Sequence, residues 1–282
     1  MMKKRNVALT LLCCAGLLGL CGCGGGEDAS EAITATVYVD AQVGGEFVYP
    51  FGELTVSSDA AENLGLTDNV SADTAVSALD VLVAANADLY GDAFAEDPSP
   101  YLNVEEGWIE TAFEQKTDYW SILYNGESPH SDEESGFGGY TALIVNESVV
   151  NDGDMVEFIA NQDDVNFADN ALWIMKDGAR ISSLEIAAGE TAEVSVKGYA
   201  CSFYGTYGTE AIANEYLAPV SGVQLGIMAE DGTIAAIDGA VCDGEGNVAF
   251  SMAEAGEYVV VAYVPAGTDV YAFFAPLIVT VK

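Results

Sequence analysis

Asp118-Tyr119-Trp120-Ser121-Ile122-Leu123-Tyr124-Asn125-Gly126-Glu127, then a polar loop, Gly139-Tyr140, and Asn151-Asp152-Gly153-Asp154-Met155-Val156-Glu157-Phe158, is the stretch that decides how the first half of this chain reads. Side chains of an extended strand alternate between its two faces, so Trp120, Ile122 and Tyr124 point one way and Tyr119, Ser121 and Leu123 the other. Asn125-Gly126 closes that strand with a tight turn, since both residue types tolerate the left-handed backbone region. Asp152-Gly153-Asp154 sets up the next strand, Met155 to Ala160.

Upstream, Ile33, Ala35, Val37 and Val39 alternate with Thr34, Thr36, Tyr38 and Asp40, which predicts a half-buried strand over Ile33 to Val43. Gly44-Gly45 turns the chain into a second strand near Phe47 to Val56. Val76, Leu79, Leu82, Val83 and Asn86 recur at helical spacing, and Asp73 is positioned to cap a helix running to about Asn86. Trp108 and a strand over Thr141 to Val145 follow. The expectation is an α+β N-terminal domain with one main helix on a mixed β-sheet, over residues 33–162.

The second half carries no strong helix. Leu172 to Lys176, Ser183 to Ile186, Thr191 to Lys197, Val223 to Ala229, Thr233 to Ile237, Asn247 to Met252, Glu257 to Val264 and Leu277 to Lys282 read as short strands. Asp177-Gly178, Asp231-Gly232 and Gly246-Asn247 punctuate them as turns. This predicts an all-β sandwich domain over 169–282, separated from the first by the polar, aperiodic segment Asn161 to Asn170. Asp243-Gly244-Glu245-Gly246-Asn247-Val248-Ala249-Phe250 and Ala255-Gly256-Glu257-Tyr258-Val259-Val260-Val261 resemble bacterial immunoglobulin-like surface modules, which usually act as spacers or stiffeners.

At the other end, Lys3, Lys4 and Arg5 precede an apolar run from Val7 to Leu20 that is short for a membrane span, the pattern of an export signal over 1–22. Leu20-Cys21-Gly22-Cys23 resembles the bacterial lipobox. Cys23 fits the lipidated position because the residue before it, Gly22, is small. Gly24-Gly25-Gly26 and Glu27-Asp28-Ala29-Ser30 then form a flexible tether over 23–32. Acyl chains on Cys23 would hold the protein to the membrane, which places it on the extracytoplasmic face of a bacterial cell membrane. With the signal go three basic residues and no acidic ones, so the formal net charge of −37 becomes an expected −40. So acidic a chain is repelled by nucleic acid. Half of its residues are hydrophobic, which argues against disorder as the reason for the charge.

Few residues suggest chemistry. Cys201 and Cys242 are the thiols left for folding. In an exported protein they either pair as a disulfide or sit as buried free thiols. His130, the single histidine, lies in the polar segment Ser128 to Ser135, expected to be a loop. No Gly-x-Ser-x-Gly elbow accompanies it, and one His with two distant Cys does not supply a closed zinc site. No metal or catalytic residue is assigned, and the chain reads as a non-enzyme. Asp163, Asp164 and Asp169, and Asp243, Glu245 and Asn247, are oxygen-rich enough to consider for calcium. Neither group copies the calcium loop with its closing glutamate, and a solvated linker and a hairpin turn are the simpler readings. The aromatic cluster is the candidate site. One face of Tyr119 to Tyr124 fills the core under the helix; the other is either structural as well or, on the reading that makes it a site, expected to stay open, joined by Phe137 and Tyr140 from the glycine-rich loop Gly136-Phe137-Gly138-Gly139.

The Tyr119-Trp120 strand with Asn125-Gly126, the helix Thr74-Ala75-Val76-Ser77-Ala78-Leu79-Asp80-Val81-Leu82 and Asp152-Gly153-Asp154 before a strand together resemble the bacterial surface-protein domain related to the C-terminal domain of the cobalamin carriers, transcobalamin and intrinsic factor. The similarity covers roughly Ile33 to Ala160. It implies a small α+β fold, cobalamin or a related corrinoid as ligand, and Tyr119, Trp120, Tyr124 and Tyr140 as ligand-facing positions. The alternative is a structural or adhesion surface module that contacts proteins or glycans.

Overall fold

Alternation in the two N-terminal segments does produce a hairpin, β1 (Thr34–Val43) and β2 (Glu46–Ser57), turned by Gly44 and Gly45, both at positive φ. The computed structural model describes residues 32–72, 74–117, 120–126, 129–134, 140–160, 169–200, 217–267, 270 and 272–282. After the short helix α1 (Ala60–Asn63) and the two-residue strand β3 (Val76–Ser77) comes the main helix, α2 (Ala78–Tyr90), continued by α3 (Asp92–Glu96). The remaining strands of this half are β4 (Leu102–Glu105), β5 (Trp108–Ala112), β6 (Gln115–Lys116), β7 (Trp120–Tyr124), β8 (His130–Glu134), β9 (Tyr140–Ala142), β10 (Val149–Val150) and β11 (Met155–Ala160).

β2, β1, β11 and β7 form one four-stranded sheet in that order. β1 runs parallel to β11, and the other two pairings are antiparallel, so the sheet is mixed, as expected. One of its faces carries Ala35, Val37, Val39, Ala41, Val156 and Phe158, which pack with Leu79, Val81, Leu82 and Ala85 of α2 in a single cluster. Fully burying an aliphatic side chain of this size contributes about 1.5–3 kcal/mol. α2 itself is buried over most of its surface, because the three-stranded sheet β4-β5-β6 contributes Leu102, Ile109 and Ala112 to the same cluster.

The main helix begins later than its periodicity implied. Its N-cap is Ser77, whose side chain accepts from the Asp80 amide while the Asp80 carboxylate accepts from the Ser77 amide, a reciprocal capping box. The residues just before the cap are held extended by pairing of Val76 with Val150 and Ser77 with Val149. Asp73 lies outside the described residues. Two further expectations shift: Thr141 to Val145 is strand only up to Ala142, and the segment around His130, expected as a loop, is the first strand of the β8–β9 hairpin.

The second half follows its punctuation closely. Its strands are β12 (Asn170–Lys176), β13 (Ala179–Arg180), β14 (Ser183–Ile186), β15 (Thr191–Ala200), β16 (Gln224–Met228), β17 (Ile234–Val241), β18 (Asn247–Ser251), β19 (Gly256–Tyr263) and β20 (Ala275–Val281). They form two sheets, β13-β12-β15-β18 and β14-β20-β19-β16-β17. Leu172, Ile174, Val194, Val196, Leu225, Val260, Leu277 and Val279 fill the space between them, and the result is a β-sandwich. Taken whole, the chain is mostly β.

Ala32 through Lys282 is one compact unit, because the sheet of the first half is covered on both faces. Opposite the helix, Leu123 and Ile159 pack with Ala171, Trp173, Met175, Leu217 and Phe273. Alongside, Tyr38, Phe51 and Met155 pack with Met228, Val261, Tyr263 and Phe274. Among the described residues no helix is long and apolar enough to cross a membrane.

Candidate functional site

Trp120, Ile122 and Tyr124 all lie on the helix side of β7 and pack against the main core. The opposite face, expected to stay open, is closed by the sandwich through Leu123. Strand periodicity fixed which residues share a face; it contained nothing about the second half lying against it. Tyr119 and Phe137 lie outside the described residues, and Tyr140 begins β9. Tyr124 is a structural tyrosine: its hydroxyl donates to the Ser148 carbonyl at 3.4 Å, and burial pushes its pKa well above the usual phenol value.

Trp120 borders a groove of about 140 Å³ whose walls include Trp108, Ile122, Pro129, Leu143 and Ile144. Trp108 enters it through a backbone device. Glu106 and Gly107 both adopt positive φ, and a Cβ built on Gly107 would stand 2.3 Å from both Ile144 Cδ1 and Asn146 Oδ1. Glycine there lets the segment 144–146 lie directly on the turn, where the Val145 amide donates to the Gly107 carbonyl at 3.3 Å. Trp108 is left 66% exposed, the most exposed large apolar side chain described. Across the groove, the Trp120 ring stands 6.3 Å from Phe113, and its indole N–H is buried without an acceptor among the described residues. A buried donor left unpaired costs about 1–3 kcal/mol. The groove is thus largely apolar and bordered by two indoles. Trp108 was not singled out from sequence, because its partner lies twelve positions away on a different sheet.

The Asn125-Gly126 and Asp152-Gly153-Asp154 motifs serve the scaffold. The Asn125 side chain donates to Asp154 Oδ1 at 3.0 Å and accepts from the Met155 amide at 2.9 Å. Asp154 Oδ2 accepts from the Asn151 amide at 2.9 Å, and Asp152 Oδ1 from the Thr36 amide at 2.6 Å. Together they pin the starts of β11 and β1 to the end of β7.

A second cavity, about 260 Å³, opens where the first sheet meets the sandwich, bordered by Asn125, Gly126, Glu157, Trp173, Arg180 and Pro276 among others. The Arg180 guanidinium lies over the Trp173 ring at 4.5 Å.

The oxygen-rich turn at Asp243 is accounted for by its own backbone. Asp243 Oδ1 accepts from the amides of Asn247 and Glu245 at 2.8 and 2.9 Å, which hold its carboxyl below the usual range. Asp169 is fully buried, while Asp163 and Asp164 lie outside the described residues. No group of three or more His, Cys, Asp and Glu side chains among the described residues is placed to hold a metal ion. Cys242 is a half-buried free thiol. Its expected partner, Cys201, and the lipidation candidate, Cys23, lie outside the described residues.

No family model and no curated protein matches the chain. Among solved structures it is similar to the fibronectin(III)-like modules of Clostridium thermocellum CbhA, at 12% identity and a TM-score of 0.25, over 52% of this chain and 64% of that one. It is also similar to immunoglobulin domains 1–4 of Sidekick-1, at 12% identity and a TM-score of 0.21, over 57% of this chain and 42% of that one. The chain spans less than two-thirds of either structure, and likeness at this level carries no argument about activity or partners.

Proposed function

We propose that this chain is a lipid-anchored, extracytoplasmic binding protein without catalytic activity, an α+β domain that presents a ligand groove and is backed by an immunoglobulin-like β-sandwich. The supporting observation is the groove bordered by Trp108 and Trp120: an exposed indole and a partly buried one lining the same apolar recess. Such a groove favours the edge of a flat, largely apolar molecule. Its volume admits only part of a large ligand, so a corrinoid would engage it by an edge. Cobalamin or a related corrinoid is the ligand the family resemblance nominates.

Equilibrium dialysis of the mature chain from Gly24 against cobalamin and cobinamide tests this reading. Retention that disappears in Trp108→Ala supports it, and no retention at high micromolar protein overturns the corrinoid assignment. The exposure of Trp108 also favours a second reading, in which that indole is an anchor for a protein or glycan partner. Anchoring is tested separately: mass analysis of membrane-extracted protein should find an acylated Cys23, and Cys23→Ser should release the protein from the membrane.

A further inference from the structure

Two acids face each other in the seam between the first sheet and the sandwich. Asp40 on β1 and Glu157 on β11 are register partners on adjacent parallel strands, 0% and 5% exposed. Asp40 sits at an irregularity in the β1–β2 ladder, between Val39 and Ala41. One of its oxygens, Oδ1, accepts from Gln42 Nε2 at 3.0 Å. The other, Oδ2, is buried with no partner. Gln42 extends the contact into the sandwich: its Nε2 also reaches the Phe274 carbonyl at 3.2 Å, and its Oε1 accepts from the Phe274 amide at 2.7 Å. Glu157 borders the seam cavity, which gives the pair a path to water.

The surroundings offer this pair little positive charge. Tyr38 on β1 donates to Glu53 on β2 at 3.1 Å, and Glu257 on β19 adds negative charge near the same tyrosine. Tyr263 ends β19, Asp154 precedes β11, and Lys176 ends β12. Arg180 on β13 is the cation that shares the cavity with Glu157. β20 contributes no charged side chain, and the one titratable group of β7, Tyr124, lies on the sheet's other face. Burial pushes both carboxyls upward, and for Glu157 the neighbouring Asp40 pushes it further. Adjacent buried carboxyls of this kind do not both ionise readily.

We propose that Asp40 and Glu157 form a proton-operated clasp: while the pair keeps a proton between its carboxyls, Asp40 stays seated under Gln42 and Gln42 holds the backbone of Phe274 across the seam, and the seam loosens when that proton passes to water. The protonated carboxyl supplies the hydrogen bond that the other otherwise lacks. After its loss two like charges face each other in a buried seam, and separation of the sheet from the sandwich admits water to both. The sign follows from linkage. The folded chain keeps protons that the unfolded chain has already released, so this contribution to stability is fully present below ordinary carboxylate pKa values and is lost as pH rises through the raised ones.

The test uses the mature chain from Gly24 between pH 6.0 and 8.5. Amide hydrogen exchange, corrected for its intrinsic pH dependence, is followed at Phe274 in the seam and at Val37 between sheet and helix. The clasp requires Phe274 protection to fall at least about tenfold more than Val37 protection over this interval, and requires Asp40→Asn or Glu157→Gln to abolish the difference. Either variant suffices if the other fails to fold. Equal losses at both amides, no loss at either, or an unchanged difference in the variants overturns the proposal.

Discussion

Trp173 of the sandwich donates its indole N–H to the carbonyl of Gly126, the second residue of the Asn-Gly turn that ends β7, at 3.1 Å. A Cβ built on Gly126 would lie 2.3 Å from the same indole nitrogen, and Gly126 itself sits at φ +80°. One glycine therefore satisfies two requirements, the left-handed turn and the close approach of a buried tryptophan from the other half of the chain. Gly126→Ala is expected to destabilise the protein by about 2–4 kcal/mol, combining backbone strain with displacement of Trp173. Urea denaturation measures it. A change under about 0.5 kcal/mol would mean that the indole relocates freely.

Asp80 has a comparable double role inside the first half. Its Oδ2 accepts from the Ser77 amide and its Oδ1 from the Ala61 amide, both at 2.9 Å, so it caps α2 and anchors α1 to it. Asp80→Ala strands two buried donors and should cost about 2–4 kcal/mol. Asp80→Asn retains an acceptor for one of them and should recover roughly half of that loss. Equal melting temperatures for the two variants would show that only one of the bonds matters.

These two residues mark what was legible in the sequence. The alternation of β1 and the longer runs of the sandwich were readable because those strands are long enough to show their period and several are punctuated by glycine turns, as at Gly44, Gly178, Gly232 and Gly246. The start of α2 was misplaced because Asp73 and Ser77 are both acceptable caps, and the choice between them is made by the pairing of Val76–Ser77 with Val149–Val150, more than seventy residues away. The sheet β4-β5-β6 went unread: its strands are short, and its turns place Glu106, Phe113 and Glu114, none of them glycine, at positive φ. The covered face of β7 and the burial of Glu157 were out of reach for the same reason. A strand with polar residues on one face reads as half-solvated until a second sheet is known to lie on it.

Trp108 should behave as a site residue. At 66% exposure, Trp108→Ala is expected to change stability by less than about 0.5 kcal/mol while removing ligand retention. Trp120→Phe tests the buried donor. It keeps the contact with Phe113 and deletes the unpaired N–H, so stability should hold or rise by about 1 kcal/mol. Loss of stability in Trp108→Ala would instead make that indole part of the core.

Cys242 is expected to be a slow nucleophile. Burial, and secondarily the charge of Asp243, push its thiol up to about 11, so at pH 7.5 almost none is thiolate, the reactive form. Alkylation by iodoacetamide in a Cys201→Ser background should therefore run about 100-fold slower in the folded protein than in urea. Asp243→Asn should quicken the folded-state reaction slightly. A folded rate equal to the unfolded one would show that the thiol is fully exposed.

Gln42 is the residue through which the two halves read each other's backbone. Its amide exchanges two hydrogen bonds with Phe274, at 2.7 and 3.2 Å, and donates a third to Asp40 at 3.0 Å. It is only 3% exposed. Gln42→Leu keeps most of the volume but leaves the Phe274 N–H and C=O unpaired in the seam, which should cost about 2–4 kcal/mol. Gln42→Glu still accepts from the Phe274 amide, yet it puts a third carboxyl beside Asp40 and Glu157 and removes the donor to both Asp40 and the Phe274 carbonyl. Its loss of stability should exceed that of Gln42→Leu at pH 8 and fall below it at pH 5, where the added carboxyl can be protonated and donate. Urea midpoints at the two pH values decide the point: if the order of the variants does not invert, ionisation of neighbouring carboxyls is not what governs the seam.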